Sequence, residues 1–308
     1  MNILHSIKDL STLKGPIVLA AGTFDGIHLG HQALIRRAME EANSCRGMTV
    51  VMTFDRHPAS LLRPDKAPKL LTRNQEKIAL LEGMDVSALL MLEFTHELAS
   101  VPAVDFITSL AHYCSPLHAV CVGSQWSFGH GGEGNVDLLK ELGLARGFVV
   151  IQIDPFEMEE VPISSTRIRT AITSGDLAQA AACLGRPFRL TGNVVRGAGL
   201  GSTIGFPTAN LDVEGMQLPP DGVYAVKVLH EDGILSGVCN IGLRPTIDPS
   251  AKRRVVEVHL FDLSQNLVGE ELSLEFVQFL RGEKKFAGLE ELKTQIVRDC
   301  VRARSFGP

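Results

Sequence analysis

The pattern of apolar residues predicts an α/β protein of two domains. A Rossmann-like, doubly wound parallel sheet is expected over residues 1–185, and a small antiparallel β-barrel closed by one C-terminal helix over 186–308. Three observations carry this. Short apolar runs alternate with helical stretches as far as Leu184. Beyond Pro187 strand-like segments follow one another between glycine and proline turns. Gly185 and Pro187 punctuate the junction between the two patterns.

Taken in order, Ile17–Ala21 reads as a buried strand and Gln32–Ala38 as the helix after it. Further strands are expected at Val50–Phe54, Ala88–Leu92, His118–Val122 and Val149–Ile153, and helices at Gln75–Glu82, Pro102–His112, Val136–Leu142 and Arg167–Leu184. Such alternation implies a parallel sheet with ligands at the carboxyl ends of its strands. In the second half strands are expected at Arg189–Val195, Val223–Leu229, Leu235–Asn240, Arg254–Phe261 and Leu272–Phe279, and a helix at Leu289–Val301.

The composition narrows the function. A chain of 308 residues with 45% hydrophobic content can fill two cores. A net charge of −5 and a pI of about 6.1 argue against general nucleic-acid binding. Six scattered cysteines without a CxxC pair, and an N-terminus without an apolar signal segment, fit a reduced cytoplasmic protein. The longest apolar runs stop well short of a membrane span, and self-association is left open.

Two phosphate-handling signatures stand out: GTFDGIHLGH at Gly22–His31 and GFPTANL at Gly205–Leu211. The first joins a strand to a helix through a turn in which Gly22, Gly26 and Gly30 permit tight backbone conformations. The amides and positive dipole end of the helix favour phosphate oxygens, and His28 and His31 add two donors that can face one polyphosphate. An isolated HxxH is more often a loop and cap feature; the adjoining GTFDG selects the functional reading. Zinc is disfavoured because no third ligand stands at a suitable spacing. The arrangement resembles the HxGH nucleotidyltransferases. That resemblance makes Gly22, Phe24, Asp25, His28 and His31 an ATP site in which the histidines stabilise the departing pyrophosphate.

A second segment, Ile163–Arg169, follows Pro162. Its Ser164, Ser165 and Thr166 can cap a helix facing phosphate, and Arg167 or Arg169 can supply fixed positive charge. It looks like the superfamily's second phosphate-binding motif and adds Ser164, Ser165, Thr166 and Arg169 to the expected ATP site.

In the second half, Gly197, Gly199, Gly201 and Gly205 allow the chain to wrap closely over phosphates. Pro207 fixes the approach of Thr208, whose hydroxyl, with the Asn210 amide oxygen, is a hard ligand suited to Mg²⁺ held largely by ATP. Strand alternation places Glu257 and His259 on one face, opposite Val256 and Val258.

These pieces occur in one order along the whole chain, with Thr53–Pro58, Leu71-Thr72, Glu76-Lys77, Val122-Gly123, Phe128-Gly129, Leu184–Pro187, Gly222–Tyr224, Asn240–Thr246, Val256–His259, Phe286 and Leu289–Leu292. The set resembles the bifunctional riboflavin kinase/FAD synthetase family. That resemblance implies riboflavin, FMN and ATP as small-molecule partners, Mg²⁺ as cofactor and FMN and FAD as products. It makes Gly197, Gly205, Thr208 and Asn210 the kinase ATP and metal site, and Glu257 the base for the ribityl hydroxyl. His57 falls in the family's flavin- and ATP-facing loop. Trp126 can stack on the flavin or sit as a core indole. The chain departs from the family at Arg56, where a proline is usual, at Gln125-Trp126-Ser127, where Asp-Phe-Arg is usual, and at Val268, where a tyrosine is usual. An alternative is therefore a kinase with an altered adenylyltransferase half. A non-catalytic flavin-binding regulator is a further alternative, and the presence of Glu257 opposes it.

Overall fold

The computed structural model describes residues 1–114, 116–197, 200–230, 233–244, 253–263 and 265–307. Gly199, Pro245 and Thr246 lie outside the described residues. The chain divides into two compact units, Met1–Ser165 and Thr166–Pro308.

The first unit is organised by β2 (Ile17–Ala21), β3 (Met48–Phe54), β4 (Ala88–Leu92), β5 (Leu117–Gly123) and β6 (Val149–Ile153), joined at one edge by β1 (Asn2–Leu4). All six are parallel, in the order β1-β4-β3-β2-β5-β6. The central strands are apolar without interruption because both faces are covered. Ile17, Leu19 and Ala21 of β2 enter one core cluster while Val18 and Ala20 enter the other. Against the first cluster lie α5 (Ala103–Tyr113), α6 (Val136–Arg146) and a 3-10 turn over Ile7–Thr12; against the second lie α1 (Leu29–Ser44) and α3 (Asn74–Glu82). Short helices α2 (Pro58–Leu62) and α4 (His96–Ala99) and the two-residue strands β7 (Glu157–Met158) and β8 (Val161–Pro162) complete it. The strand order reverses between β3 and β5 around β2, which places the switch point of a doubly wound sheet where Gly22–His31 begins.

The line between the units falls at the first residue of α7 (Ser165–Ser174). The single helix expected over Arg167–Leu184 is instead α7 and α8 (Leu177–Leu184). Gly175 at φ +82° breaks the run, and the Asp176 carboxylate restarts it by accepting from the Gln179 amide at 2.9 Å.

The second unit is a closed barrel, β10-β13-β12-β11-β14-β9. Its strands are β9 (Arg189–Val195), β10 (Ala209–Asp212), β11 (Gly222–His230), β12 (Gly233–Arg244), β13 (Arg253–Leu260) and β14 (Glu271–Arg281), all paired antiparallel. A one-turn helix, α9 (Leu200–Thr203), precedes β10, and α10 (Leu289–Arg304) closes the unit. Leu190, Val228, Cys239, Ile241, Val256, Val258, Leu272 and Leu274 are fully buried and alternate with polar positions along their strands. The expected strands and final helix are present. The strand β10, inside GFPTANL, and the edge strand β1 were not expected, because each is too short to show periodicity. Among the described residues no helix is long and apolar enough to cross a membrane.

Asp299, buried at 6% exposure, fastens α10 to β14: Arg281 Nε and Nη2 donate to its Oδ2 at 3.0 and 2.8 Å, and Gln295 donates to its Oδ1 at 2.9 Å. Asp299→Ala strands the partly covered Arg281 guanidinium, so the barrel is expected to lose about 2 kcal/mol of stability. Urea dependence of hydrogen exchange at the barrel amides checks this.

Candidate active sites

The first site begins where β2 ends. The Gly22 amide extends the β3 ladder by one bond to the Met52 carbonyl at 3.1 Å, and the chain then enters a turn with Phe24 at φ +47° and Ile27 at φ +38°. Two non-glycine residues in the left-handed region cost about 1 kcal/mol or more each and need an external clamp. Asp25 supplies it. Its buried carboxylate accepts from the Leu71 amide at 2.9 Å and the Thr72 amide at 3.2 Å, while Thr72 Oγ1 accepts from the Gly26 amide at 3.1 Å. Ser165, opening α7, donates its hydroxyl to the Asp25 carbonyl at 2.9 Å. Asp25 thus carries out a structural task within the turn.

His28 is the N-cap of α1, its Nδ1 accepting from the His31 amide at 3.3 Å. Acceptance at Nδ1 leaves the proton of the neutral ring on Nε2. The two imidazoles stack with centroids 3.6 Å apart and planes 18° apart. Phe24, fully buried, meets His31 edge-on at 5.2 Å. Gly30 is required by this packing: a Cβ there would lie 3.2 Å from the His28 ring. The first free turn amides, Leu29 and Gly30, have no acceptor among the described residues. Burial, followed by the charges of His28 and Lys77, holds the His31 imidazole well below its usual 6.5, so it is neutral at pH 7. Its enclosed Nδ1 has no hydrogen-bond partner among the described residues.

Beside this turn, Thr23, Asp25, Asp55, Arg56, His57, Leu70, Thr72, Asn74 and Lys77 line an open cleft. His57 caps α2, its Nδ1 accepting from the Ala59 amide at 3.1 Å. Trp126 is half-buried, stacked on Phe128 at 4.6 Å and packed against the core. Ser164 is half-buried just before α7, while Thr166 and Arg169 continue that helix in the second unit.

The second site is a row across three strands of the barrel. Asn210 on β10 is directly opposite Glu257 on β13, which is in turn opposite Asn240 on β12. Directly opposed residues share a face. This is the outer one, since the alternate rows Leu211–Val256–Ile241 and Val258–Cys239 are buried. His259 lies on the same face as Glu257, and its Nδ1 is 2.8 Å from the Pro207 carbonyl, with Phe206 edge-on at 5.5 Å. That contact ties the GFPTANL turn to β13. Gly197 lies against the Asn210 amide so closely that any Cβ would collide with it, and a Cβ on Gly201 would lie 3.2 Å from Thr208 Oγ1. Gly205 stands at φ +89° in the exposed turn before Phe206. Asn210 is in register with Glu257, and Thr208, two residues before it, adds a second neutral hard oxygen at the mouth of β10. This donor set fits Mg²⁺ shared with phosphate oxygens.

Sequence reasoning did not single out Asn240, His259 or Lys77 as site residues. Asn240 and His259 are set by barrel register and loop return, which no local spacing reveals. Lys77 stands in a helix with little amphipathic pattern, where burial of a lysine leaves no signature.

A family profile for FAD synthetase matches residues 11–167, and one for riboflavin kinase matches residues 184–306. Proteins named bifunctional riboflavin kinase/FMN adenylyltransferase are similar over nearly the whole chain. That of Escherichia coli strain K12 is 39% identical, covering 99% of this chain and 98% of its own. That of Bacillus subtilis strain 168 is 37% identical, covering 98% and 96%. That of Haemophilus influenzae is 35% identical, covering 99% of each. A crystal structure described as a macrolide-efflux protein from Streptococcus pneumoniae superposes with a TM-score of 0.81 at 30% identity, covering 97% of each chain.

The neutral state of His31 predicts a pH dependence. The folded pKa is held well below 6.5, whereas the unfolded chain takes up this proton near the usual value. Between the two values the unfolded state binds more protons. The contribution is therefore complete above about pH 6.5 and is lost as pH falls toward the folded value. Urea unfolding of the first unit, followed by Trp126 fluorescence across this range, should show the decline in wild type and a flatter profile in His31→Gln.

Proposed function

The chain belongs to the family of bifunctional riboflavin kinase/FMN adenylyltransferases, and from that premise we propose how its residues divide the two reactions. The protein phosphorylates riboflavin with ATP to give FMN and ADP, then joins FMN to AMP from a second ATP, releasing pyrophosphate and forming FAD. We assign kinase function to residues 186–308 and adenylyl transfer to 1–185, so that the whole Ser164–Arg169 motif is counted with adenylyl transfer.

In the kinase, Glu257 takes the proton of the ribityl hydroxyl as that oxygen attacks the γ-phosphorus of ATP and the bond to ADP breaks. Asn210 and Asn240, on either side, hold the carboxylate face polar and hydrated until substrate covers it. Gly197 and Gly205 let the glycine-rich turn approach the triphosphate. Thr208 and Asn210 would hold Mg²⁺, which supplies charge neutralisation and alignment of the phosphates. His259 keeps the turn in register with the base by fixing the Pro207 carbonyl.

In adenylyl transfer an oxygen of the FMN phosphate attacks the α-phosphorus of ATP and pyrophosphate leaves. His28 and neutral His31 donate to phosphate oxygens where negative charge builds up, together with the Leu29 and Gly30 amides and Arg169. Gly22, Phe24 and Asp25 shape the turn, and Ser164, Ser165 and Thr166 present the second phosphate-binding segment. His57 and Trp126 are assigned to the flavin side. We place the enzyme in the cytoplasm, acting on small molecules rather than nucleic acid.

The observation that carries the kinase assignment is the Asn210–Glu257–Asn240 row, which sets a carboxylate beside the PTAN oxygens on one face. Glu257→Gln should reduce FMN formation by about 100-fold or more while sparing FAD formation from supplied FMN. Conversely, His28→Ala combined with His31→Ala should convert riboflavin to FMN and stop there. Chromatographic separation of the flavins after incubation with MgATP and either riboflavin or FMN reads both outcomes. Loss of both activities in a folded single-site variant would sink the two-site division.

A further inference from the structure

Lys77 is an anomaly that the histidine turn does not account for. Lys77 is 6% exposed, and no carboxylate lies within ion-pair distance of its Nζ among the described residues, although the charges of Asp25 and Asp55 act on it. Nζ donates to the Thr23 carbonyl at 3.3 Å and the Phe54 carbonyl at 3.4 Å, both long bonds to the ends of β2 and β3. An ammonium has three donors, two of which are used here, and Lys77 lines the cleft. Burying an ammonium that is offset only by two carboxylates beyond contact distance is costly, and an anionic ligand in direct contact offsets that cost.

Arg56 stands on the same cleft. Its Nε is 3.3 Å from Asp55 Oδ2, the side chain is 49% exposed, and its Nη groups have no acceptor among the described residues. The two carboxylates that line the cleft are turned to other work. Asp25 accepts from the Leu71 and Thr72 amides, and Asp55 Oδ1 accepts from the Phe94 amide at 2.9 Å. The Lys77 ammonium and the Arg56 Nη groups therefore stand on the cleft, while Asp25 and Asp55 Oδ1 accept from backbone amides and Asp55 Oδ2 accepts from Arg56 Nε.

We propose that Arg56 and Lys77 form an anion subsite that receives the phosphate monoester of the acceptor flavin during adenylyl transfer. The proposal rests on the adenylyltransferase reading above and deepens it. Neither His28 nor His31 lines this cleft, so it is a compartment separate from the histidine turn, sharing Asp25 as a common wall. Two reacting phosphates, one from each substrate, need two such compartments in contact. The nucleotide's polyphosphate suits the helix terminus, and a compact dianion suits a point charge with an arginine fork at the rim. Arg56 is a binding residue here, and Lys77 both binds and positions the ends of β2 and β3.

The test is steady-state FAD formation with FMN and then ATP varied, for wild type, Arg56→Ala, Arg56→Lys and Lys77→Met, with riboflavin phosphorylation measured on the same preparations. Arg56→Ala should raise KM for FMN about tenfold and leave KM for ATP within about twofold, with Arg56→Lys recovering part of the loss. Inorganic phosphate should compete with FMN in wild type and lose potency in Arg56→Ala. Lys77→Met should lose FAD formation while still making FMN from riboflavin, and Arg56→Ala, at an exposed position, keeps the test informative if Lys77→Met does not fold. A rise confined to KM for ATP would assign the subsite to the nucleotide and overturn the proposal, as would unchanged kinetics in Arg56→Ala. Failure of the wild type itself to adenylylate FMN would instead refute the parent reading.

Discussion

A turn that holds Phe24 and Ile27 in the left-handed region can stand at the end of β2 only because Asp25 grips the backbone at Leu71 and Thr72. Everything in the first site follows from that grip. It directs the chain into α1 with His28 as N-cap, and it places Phe24 under the His31 ring. It also brings the segment leading to α3, and with it Lys77, to the carboxyl ends of β2 and β3. The Asp25 carboxylate is here the anchor of the turn.

The barrel solves the same problem differently. Its site is flat, a row of polar side chains on the outside of three paired strands, and regular pairing alone sets the spacing of Asn210, Glu257 and Asn240. What pairing cannot hold is the irregular turn before β10, and His259 does this through the Pro207 carbonyl. Glycines at 197 and 201 complete the fit by allowing Asn210 and Thr208 to lie against the backbone. Both sites therefore join a rigid scaffold to an irregular turn through one buried or loop-fixing polar contact.

In the first unit burial sets the charge state of the groups beside the turn. Burial favours the neutral imidazole of His31, and the same burial lowers the pKa of Lys77 while Asp25 and Asp55 oppose that shift. With His31 neutral, the stacked pair avoids the repulsion that two imidazolium rings would suffer at 3.6 Å.

Much was legible in the chain itself. Apolar runs such as Ile17–Ala21 and Ala88–Leu92 declared buried parallel strands because both faces of a covered sheet need side chains of one kind. The change to glycine-punctuated strands beyond Pro187 declared the barrel, and the motifs at Gly22–His31 and Gly205–Leu211 marked irregular turns next to strands, because their demands on the backbone are local. The break between α7 and α8, the clamp by Asp25, the pairing of Glu257 with Asn240 and the burial of Lys77 were decided by tertiary structure. Each depends on partners far apart in sequence, where register, loop return and desolvation act, and no spacing along a single chain encodes those quantities.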